Sequence, residues 1–249
     1  MAKSLMFSPP YASADACETQ LKAEGHTVLA PSSLQALLGC NPQELAPLQP
    51  FWQDLPPDAY LRDGGRYRFR RHACFIAQNG QLTQAPHRAH WQPLDYNALH
   101  GGIERWFEPL DPAMVNQPAW GTLLLGLSRI TSALKSKPAD HPWYIEAHQF
   151  RIDTTDGIGR PTPEGAHRDG VELVAVFLVD RQGIKGGESR VFEAQGPQGQ
   201  RFTMTAPWTL LLLDDEQVIH ESTPIQPVGD YGYRDTLVIT LRSSGFQSS

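Results

Sequence analysis

Cysteine is scarce in this 249-residue chain: there are three, Cys17, Cys40 and Cys74, and no C-x-x-C pair. An odd, widely spaced set excludes a disulfide framework and a paired-thiol motif, and it suits a reducing compartment. Long apolar runs are lacking too. The longest near a helical pattern spans 121–127, far short of the roughly 20 residues a membrane helix needs. The apolar run within the first ten residues is too short for the core of a signal peptide. No block of Lys and Arg stands out against a net charge of −6, so a nucleic-acid surface is not expected. Internal repeats and low-complexity tracts are missing as well. The expectation is one soluble, cytoplasmic domain over residues 1–249, with a small-molecule partner, no nucleic acid and no membrane. Oligomeric state stays open, a homodimer included.

What is present divides into two halves. The first, about 1–140, reads as a mainly helical part. A helix is expected over 15–24 with Gly25 as its C′ residue, and a short one, capped by Ser32 or Ser33, up to Leu38 and Gly39. Proline-rich connections follow (Pro42, Pro47, Pro50, Pro56, Pro57), then a strand over 67–76 dense in arginine. Alternation puts Arg66, Arg68 and Arg70 on one face, Tyr67, Phe69 and Arg71 on the other. Leu123, Leu127, Ile130 and Leu134 recur at helical spacing, which predicts a long helix over 118–135. The second half, about 141–242, carries strand-like runs at 144–152, 172–179, 189–193, 201–205, 209–213, 218–221 and 236–242, punctuated by glycines and Pro207. Many short strands between turns indicate a sandwich or barrel, and a jelly roll of eight strands accommodates the count with one strand missed. The tail, 243–249, is expected to fray.

The chemistry gathers at His167-Arg168-Asp169, between a Gly/Pro-rich loop (157–165) and an apolar strand. Residues i and i+2 of an extended chain point to the same side, so His167 and Asp169 can approach one ion while Arg168 points away. His220 follows at the end of a later strand-like run. Two imidazoles and one carboxylate make a facial triad that leaves open positions on an octahedral ion, which suits iron(II). A zinc site would need a further nitrogen or sulfur ligand; His148 is the spare. Arg234 lies 14 positions after His220 and can pair bidentately with the distal carboxylate of 2-oxoglutarate. Arg242 shares its strand parity and competes for that role, and Thr236 or Thr240 can add a hydroxyl.

Several stretches carry a resemblance. They are Pro163-Glu164-Gly165-Ala166-His167-Arg168-Asp169-Gly170, Gly186-Gly187-Glu188-Ser189, Asp214-Asp215, His220, and Tyr233-Arg234-Asp235. Upstream they include Arg66-Tyr67-Arg68-Phe69-Arg70-Arg71 and His100-Gly101-Gly102-Ile103-Glu104-Arg105-Trp106-Phe107. Together they resemble the bacterial 2-oxoglutarate/Fe(II) dioxygenases that include the L-isoleucine dioxygenases, over about 60–242. The resemblance implies a mainly β fold, a double-stranded β-helix (jelly roll, cupin-like) with an α-helical N-terminal layer. It implies iron(II), 2-oxoglutarate and O2, and hydroxylation of a free L-amino acid with release of succinate and carbon dioxide. It also implies hydroxylation rather than halogenation, since halogenating relatives lack the carboxylate that Asp169 supplies here.

A small amino acid needs a cation for its carboxylate and an acceptor for its ammonium. Candidates are Arg151, Arg168 and Arg190 for the first, Glu146 and Glu164 for the second, and His148 for either. The arginine run from Arg66 lines the pocket or braces the helical layer. Trp106 and Phe107 are expected in the core, and the loop 154–164 is expected to act as a lid or a long connector. The competing readings are a peptide, carrier-bound or natural-product substrate, and a cupin-like module that holds a metal without turnover.

Overall fold

A computed structural model describes residues 7–97, 99 and 101–248. In chain order the elements are β1 (Tyr11–Ala12), α1 (Cys17–Glu24), β2 (His26–Leu29), α2 (Leu34–Leu38), α3 (Pro42–Leu45), β3 (Arg68–Gln78), β4 (Gln81–Gln84), α4 (Pro112–Val115) and α5 (Pro118–Leu134). Then come β5 (Trp143–Asp153), β6 (Leu173–Gln182), β7 (Ile184–Gly186), β8 (Ser189–Glu193), β9 (Gly199–Phe202), β10 (Leu210–Leu213), β11 (Val218–Ser222), β12 (Ile225–Pro227) and β13 (Tyr233–Arg242). The large sheet runs β1-β2-β10-β6-β13-β5-β3-β4, and β11-β8-β9 and β12-β7 form two smaller sheets. Among the described residues only the β1–β2 pair is parallel. This is a double-stranded β-helix, a jelly roll, as expected.

Strand parity builds both layers. Odd residues of β3, β5, β6 and β13, such as Phe75, Ile145, Phe177 and Ile239, turn to one face and join Leu34, Leu45, Trp120, Leu123 and Leu127 of the helices in the principal core. That is why α5 exists as a helix in place: its apolar stripe at 3.6-residue spacing has a sheet face to cover. Each fully buried leucine there contributes about 1.5–3 kcal/mol. Even residues turn the other way. Val174, Val176 and Leu178 meet Val191, Phe202 and Val218 of the small sheet in a second core. The rest of this inner face is polar and lines a cavity.

Several expectations change in detail. Gly25 and Gly39 close α1 and α2 with φ of 69° and 87°, but Ser33 stands at the N-cap without a side-chain capping bond. The proline-rich stretch is largely helical: Pro42 sits in the first turn of α3 behind an Asn41/Glu44 capping box, and 46–52 forms a 3₁₀ turn. Proline at a first turn has no N–H to leave unsatisfied, so proline density there marks helix starts. The strand expected over 67–76 is β3, and the N-terminal half adds β1, β2 and β4, so that it extends the large sheet at both edges. The described part of the tail, 243–248, is not frayed. Phe246 packs edge-on against Tyr144, and Gln247 is buried against the backbone of Asp169 and Gly170. Trp106 is exposed while Phe107 is buried. Among the described residues no helix is long and apolar enough to cross a membrane.

Candidate metal and co-substrate site

His167 and His220 lie 53 positions apart and meet as an antiparallel backbone pair, His167 N to His220 O at 3.0 Å and the reverse at 2.9 Å. His220 lies within β11 and pairs with Val191 of β8 on one side, so the bridge adds His167 on the other, and the two imidazole centroids are 4.7 Å apart. Asp169 faces both: Oδ1 is 3.9 Å from His167 Nε2, and Oδ2 is 3.8 Å from His220 Nε2. The carbonyl of Gly165 accepts from His167 Nδ1 at 3.0 Å. That bond puts the proton on Nδ1 and leaves the Nε2 lone pair toward the carboxylate, the tautomer a metal ligand needs. One ligand atom from each residue lies within 4.8 Å of the others.

The backbone under the triad is fixed by Asp215, whose carboxylate accepts from the N–H groups of Asp169, Gly170 and Val171 at 3.0, 2.7 and 3.1 Å. Burial and the Asp169 carboxylate raise Asp215 to about 7, against the pull of those three donors. Gly170 has φ of 74°, and a Cβ there would lie 2.5 Å from the Tyr96 ring. Both its left-handed backbone and the close ring exclude a side chain. Burial disfavours charge on His167, but the Asp169 and Glu164 carboxylates outweigh it and raise its pKa. Burial and His167 hold His220 well below the usual histidine range. A neutral imidazole beside a centre whose field favours positive charge suits a divalent cation.

Arg234 and Thr236 open onto the same cavity. Arg234 is 4% exposed, and its Nη2 is buried with no hydrogen-bond partner among the described residues. Burial and Arg181 lower its pKa to about 10. A buried guanidinium with an open donor, on the same cavity as the triad, matches a carboxylate that arrives with a ligand. Arg242 has the right parity but sits past the end of the cavity, with its Nη1 on the carbonyl of Gly245 at 3.1 Å. It does not line the cavity that Arg234 and Thr236 open onto.

Parity also decides the substrate candidates. Glu146 and His148 line the cavity from the even face of β5. Arg151 is odd and points away, paired bidentately with Asp235 at 2.8 and 2.7 Å. Arg168 turns outward, as alternation requires, to the carbonyl of Glu216 at 3.2 Å. Arg190 is a surface residue held by Glu188 and Glu221 at 2.9 and 3.2 Å. These three arginines are therefore not cavity residues. Arg68, Arg70 and Arg105 are, and all three are buried. Arg68 pairs with Asp58 at 2.7 Å, and Arg70 lies between the rings of Phe107 and Phe150 at 3.7 and 4.4 Å. The loop 154–164 supplies Pro161, Thr162 and Glu164 to the wall and is tied down by Thr162 Oγ1 on the Ser222 carbonyl at 3.0 Å.

A second group, His72, His90, Glu146 and His148, also meets the distance requirement for a metal. Its hydrogen bonds describe something else. Arg70 Nη2 lies 2.8 Å from His148 Nδ1, and a guanidinium only donates, so His148 must accept there and carry its proton on Nε2. Glu146 Oε2 receives His72 Nε2 at 2.9 Å and His90 Nδ1 at 2.7 Å. The imidazoles hold the carboxylate ionised, well below its usual range in spite of burial. This is a hydrogen-bonded polar network in which His90, Glu146 and His148 form part of the cavity wall, and its carboxylate is already taken up by two imidazoles.

Sequence reasoning passed over Arg105, His90, Gln92, Asp215 and Gln247. Arg105 and Asp215 fall inside stretches that carried the resemblance, and the even parity of Arg68 and Arg70 was readable. Gln92 and Gln247 gave no signal, because both sit outside regular elements. His100 lies outside the described residues.

A family model described as 2OG-Fe dioxygenase matches residues 49–240. Among solved structures, a bsmA homolog from Methylobium petroleophilum PM1 is 52% identical, with a TM-score of 0.91 over 97% of each chain. IDO from Bacillus thuringiensis is 16% identical, with a TM-score of 0.74 over 98% of this chain and 99% of its own. The Fe(II)/(alpha)ketoglutarate-dependent dioxygenase TqaL is 17% identical, with a TM-score of 0.69 over 92% of this chain and 86% of its own. At these identities the last two speak for the fold alone. No curated protein sequence matches the chain.

Proposed function

This chain belongs to the 2OG-Fe dioxygenase family, and on that premise we propose that it hydroxylates an unactivated C–H bond of a free L-amino acid, with an aliphatic side chain such as that of leucine, isoleucine or methionine. The family uses iron(II), 2-oxoglutarate and O2. Bound together, they supply the oxidising chemistry that puts one oxygen atom into the substrate and releases succinate and carbon dioxide. His167, Asp169 and His220 are the residues suited to hold the iron. Arg234, with Thr236 beside it, is suited to the distal carboxylate of 2-oxoglutarate.

The observation that carries the amino-acid reading is a set of unsatisfied groups on one cavity. Among the described residues Glu164 Oε2 is a buried acceptor without a partner, and Arg68 Nη2, Arg70 Nε and Arg105 Nε are buried donors without partners, all on residues that line this cavity. Groups left this way are costly until a ligand completes them. A free amino acid brings both complements, an ammonium for Glu164 and a carboxylate for the arginines. Arg105 is the favoured carboxylate anchor, because among the described residues it has no carboxylate within 4.0 Å, whereas Arg68 is already paired with Asp58. Phe150, Val176 and Val238 leave an apolar wall for the side chain. A metal-binding module without turnover would give Arg234 nothing to bind.

The test is incubation with iron(II), ascorbate, 2-oxoglutarate and a panel of L-amino acids, beside their N-acetyl and methyl-ester forms. Succinate and a +16 product are the readouts. Turnover of a free amino acid and of neither blocked form is expected. Turnover of N-acylated or peptide forms alone would overturn the reading in favour of a peptide or carrier-bound substrate.

A further inference from the structure

We propose that Gln92 is a positioning residue for Asp169: its amide holds one carboxylate oxygen and leaves the other for the metal. The proposal rests on Asp169 being a metal ligand. Gln92 Nε2 donates to Asp169 Oδ1 at 3.0 Å. The opposite end of the same amide is engaged twice, Oε1 accepting from Arg105 Nη2 at 2.8 Å and from Asn97 Nδ2 at 3.1 Å. An amide can be turned end for end without changing its shape, but not here. Arg105 has no lone pair to offer an N–H, so Oε1 must face Arg105 and Nε2 must face Asp169. Arg105 therefore fixes which end of Gln92 meets the carboxylate.

The segment that carries these residues is itself closed. His90 and Arg105 form a reciprocal backbone pair at 2.9 and 3.0 Å, and the Gln92 carbonyl accepts from Gly102 N at 2.8 Å. Gln92, Asn97 and Arg105 are all buried, so the amide competes with little water. Asp169 is then held from three directions. Asp215 takes its N–H, Gln247 Nε2 reaches its carbonyl at 3.0 Å, and Gln92 takes Oδ1. With Oδ1 engaged, Oδ2, which is 3.8 Å from His220 Nε2, is the oxygen left for ligation. One-oxygen ligation keeps coordination positions open, as the chemistry requires.

The experiment compares wild type with Gln92→Met, which keeps the length of the side chain and removes the donor. Readouts are the iron(II) affinity under anaerobic conditions, the visible band that 2-oxoglutarate gives with the iron(II) protein, and the ratio of succinate to hydroxylated product. Partners of metal ligands typically govern affinity by 10- to 100-fold. Gln92→Met is expected to weaken iron(II) binding about 10-fold or more, to move the band, and to raise the ratio. Asn97→Ala, which removes one of the two anchors, is expected to change all three in the same direction by less, and it carries the test alone if the Met variant does not fold. Unchanged iron affinity and band in a folded Gln92→Met protein, or in Asn97→Ala when it stands alone, overturn the proposal. Asp169→Ala separates this from the premise: wild-type iron affinity in that variant sinks the ligand assignment itself. Loss of iron there, with Gln92→Met unchanged, sinks the positioning role alone.

Discussion

Replacing Arg234 by methionine sets two effects of opposite sign against each other. Among the described residues the Arg234 side chain has no hydrogen bond and no carboxylate within 4.0 Å, and the residue is 4% exposed. In the ligand-free protein its charge is therefore desolvated, and Asp235 offsets that burial only in part. An apolar side chain of similar volume at such a position stabilises by about 1 kcal/mol or more, which raises Tm by about 2–4 °C in a chain of this size. With ligand the balance reverses. A charge-assisted hydrogen bond contributes about 1.5–3 kcal/mol, so the variant should bind 2-oxoglutarate roughly 10- to 150-fold more weakly. Anaerobic titration of the iron(II) protein measures the affinity, and thermal melts with and without 2-oxoglutarate measure the rest. Arg242→Ala, on the same strand but outside the cavity, should leave the affinity unchanged. A ligand-free Tm that falls in Arg234→Met while the affinity holds would make Arg234 a structural cation and not a co-substrate anchor. A 2-oxoglutarate defect confined to Arg242→Ala would do the same.

Three further outcomes follow from the site. Asp215→Asn removes the charge that gathers three backbone N–H groups under the triad, and iron(II) affinity should drop about 10-fold; equal affinity would contradict that support role. Gly170→Ala forces a side chain into a left-handed backbone against Tyr96, which should cost at least about 1–2 kcal/mol and weaken iron binding, read by denaturant melts and titration. For pH, burial raises Asp235 to about 6 even though Arg151 pulls the other way. A carboxyl whose folded pKa is raised binds its proton more tightly when folded, so its contribution is full below about pH 4 and is lost as pH rises through about 6. The stability of wild type relative to Asp235→Asn should then fall by roughly 2–3 kcal/mol across that window. A difference independent of pH in melts of the iron-free protein would contradict it.

Much of this was legible in the sequence because one rule governs it. Alternation put Arg68 and Arg70 on one face of β3, sent Arg168 away from His167 and Asp169, and set Arg234 and Thr236 on a common side. The same rule was available for Arg151 and not applied: an odd residue on a strand whose even residues include Glu146 and His148 has to face away. Arg242 shows where parity stops, since it fixes the side a residue faces and says nothing of how far along the strand the cavity extends. Short edge strands such as β1 and β4 escaped because two to four residues carry no periodicity. Gln92 and Gln247 escaped for a different reason. They are brought to Asp169 by a closed loop and a docked tail, and contacts made by irregular backbone leave no pattern to read. The tail resembled a frayed end in composition, yet Phe246 and Gln247 find partners across the fold.

The most direct test of the whole account is turnover under ¹⁸O2 with iron(II), 2-oxoglutarate and a free aliphatic L-amino acid, followed by mass analysis of both products. One labelled oxygen is expected in the amino acid and one in succinate, both abolished in His220→Ala. Succinate formation that no amino acid of the panel stimulates, with no labelled amino-acid product, would contradict it.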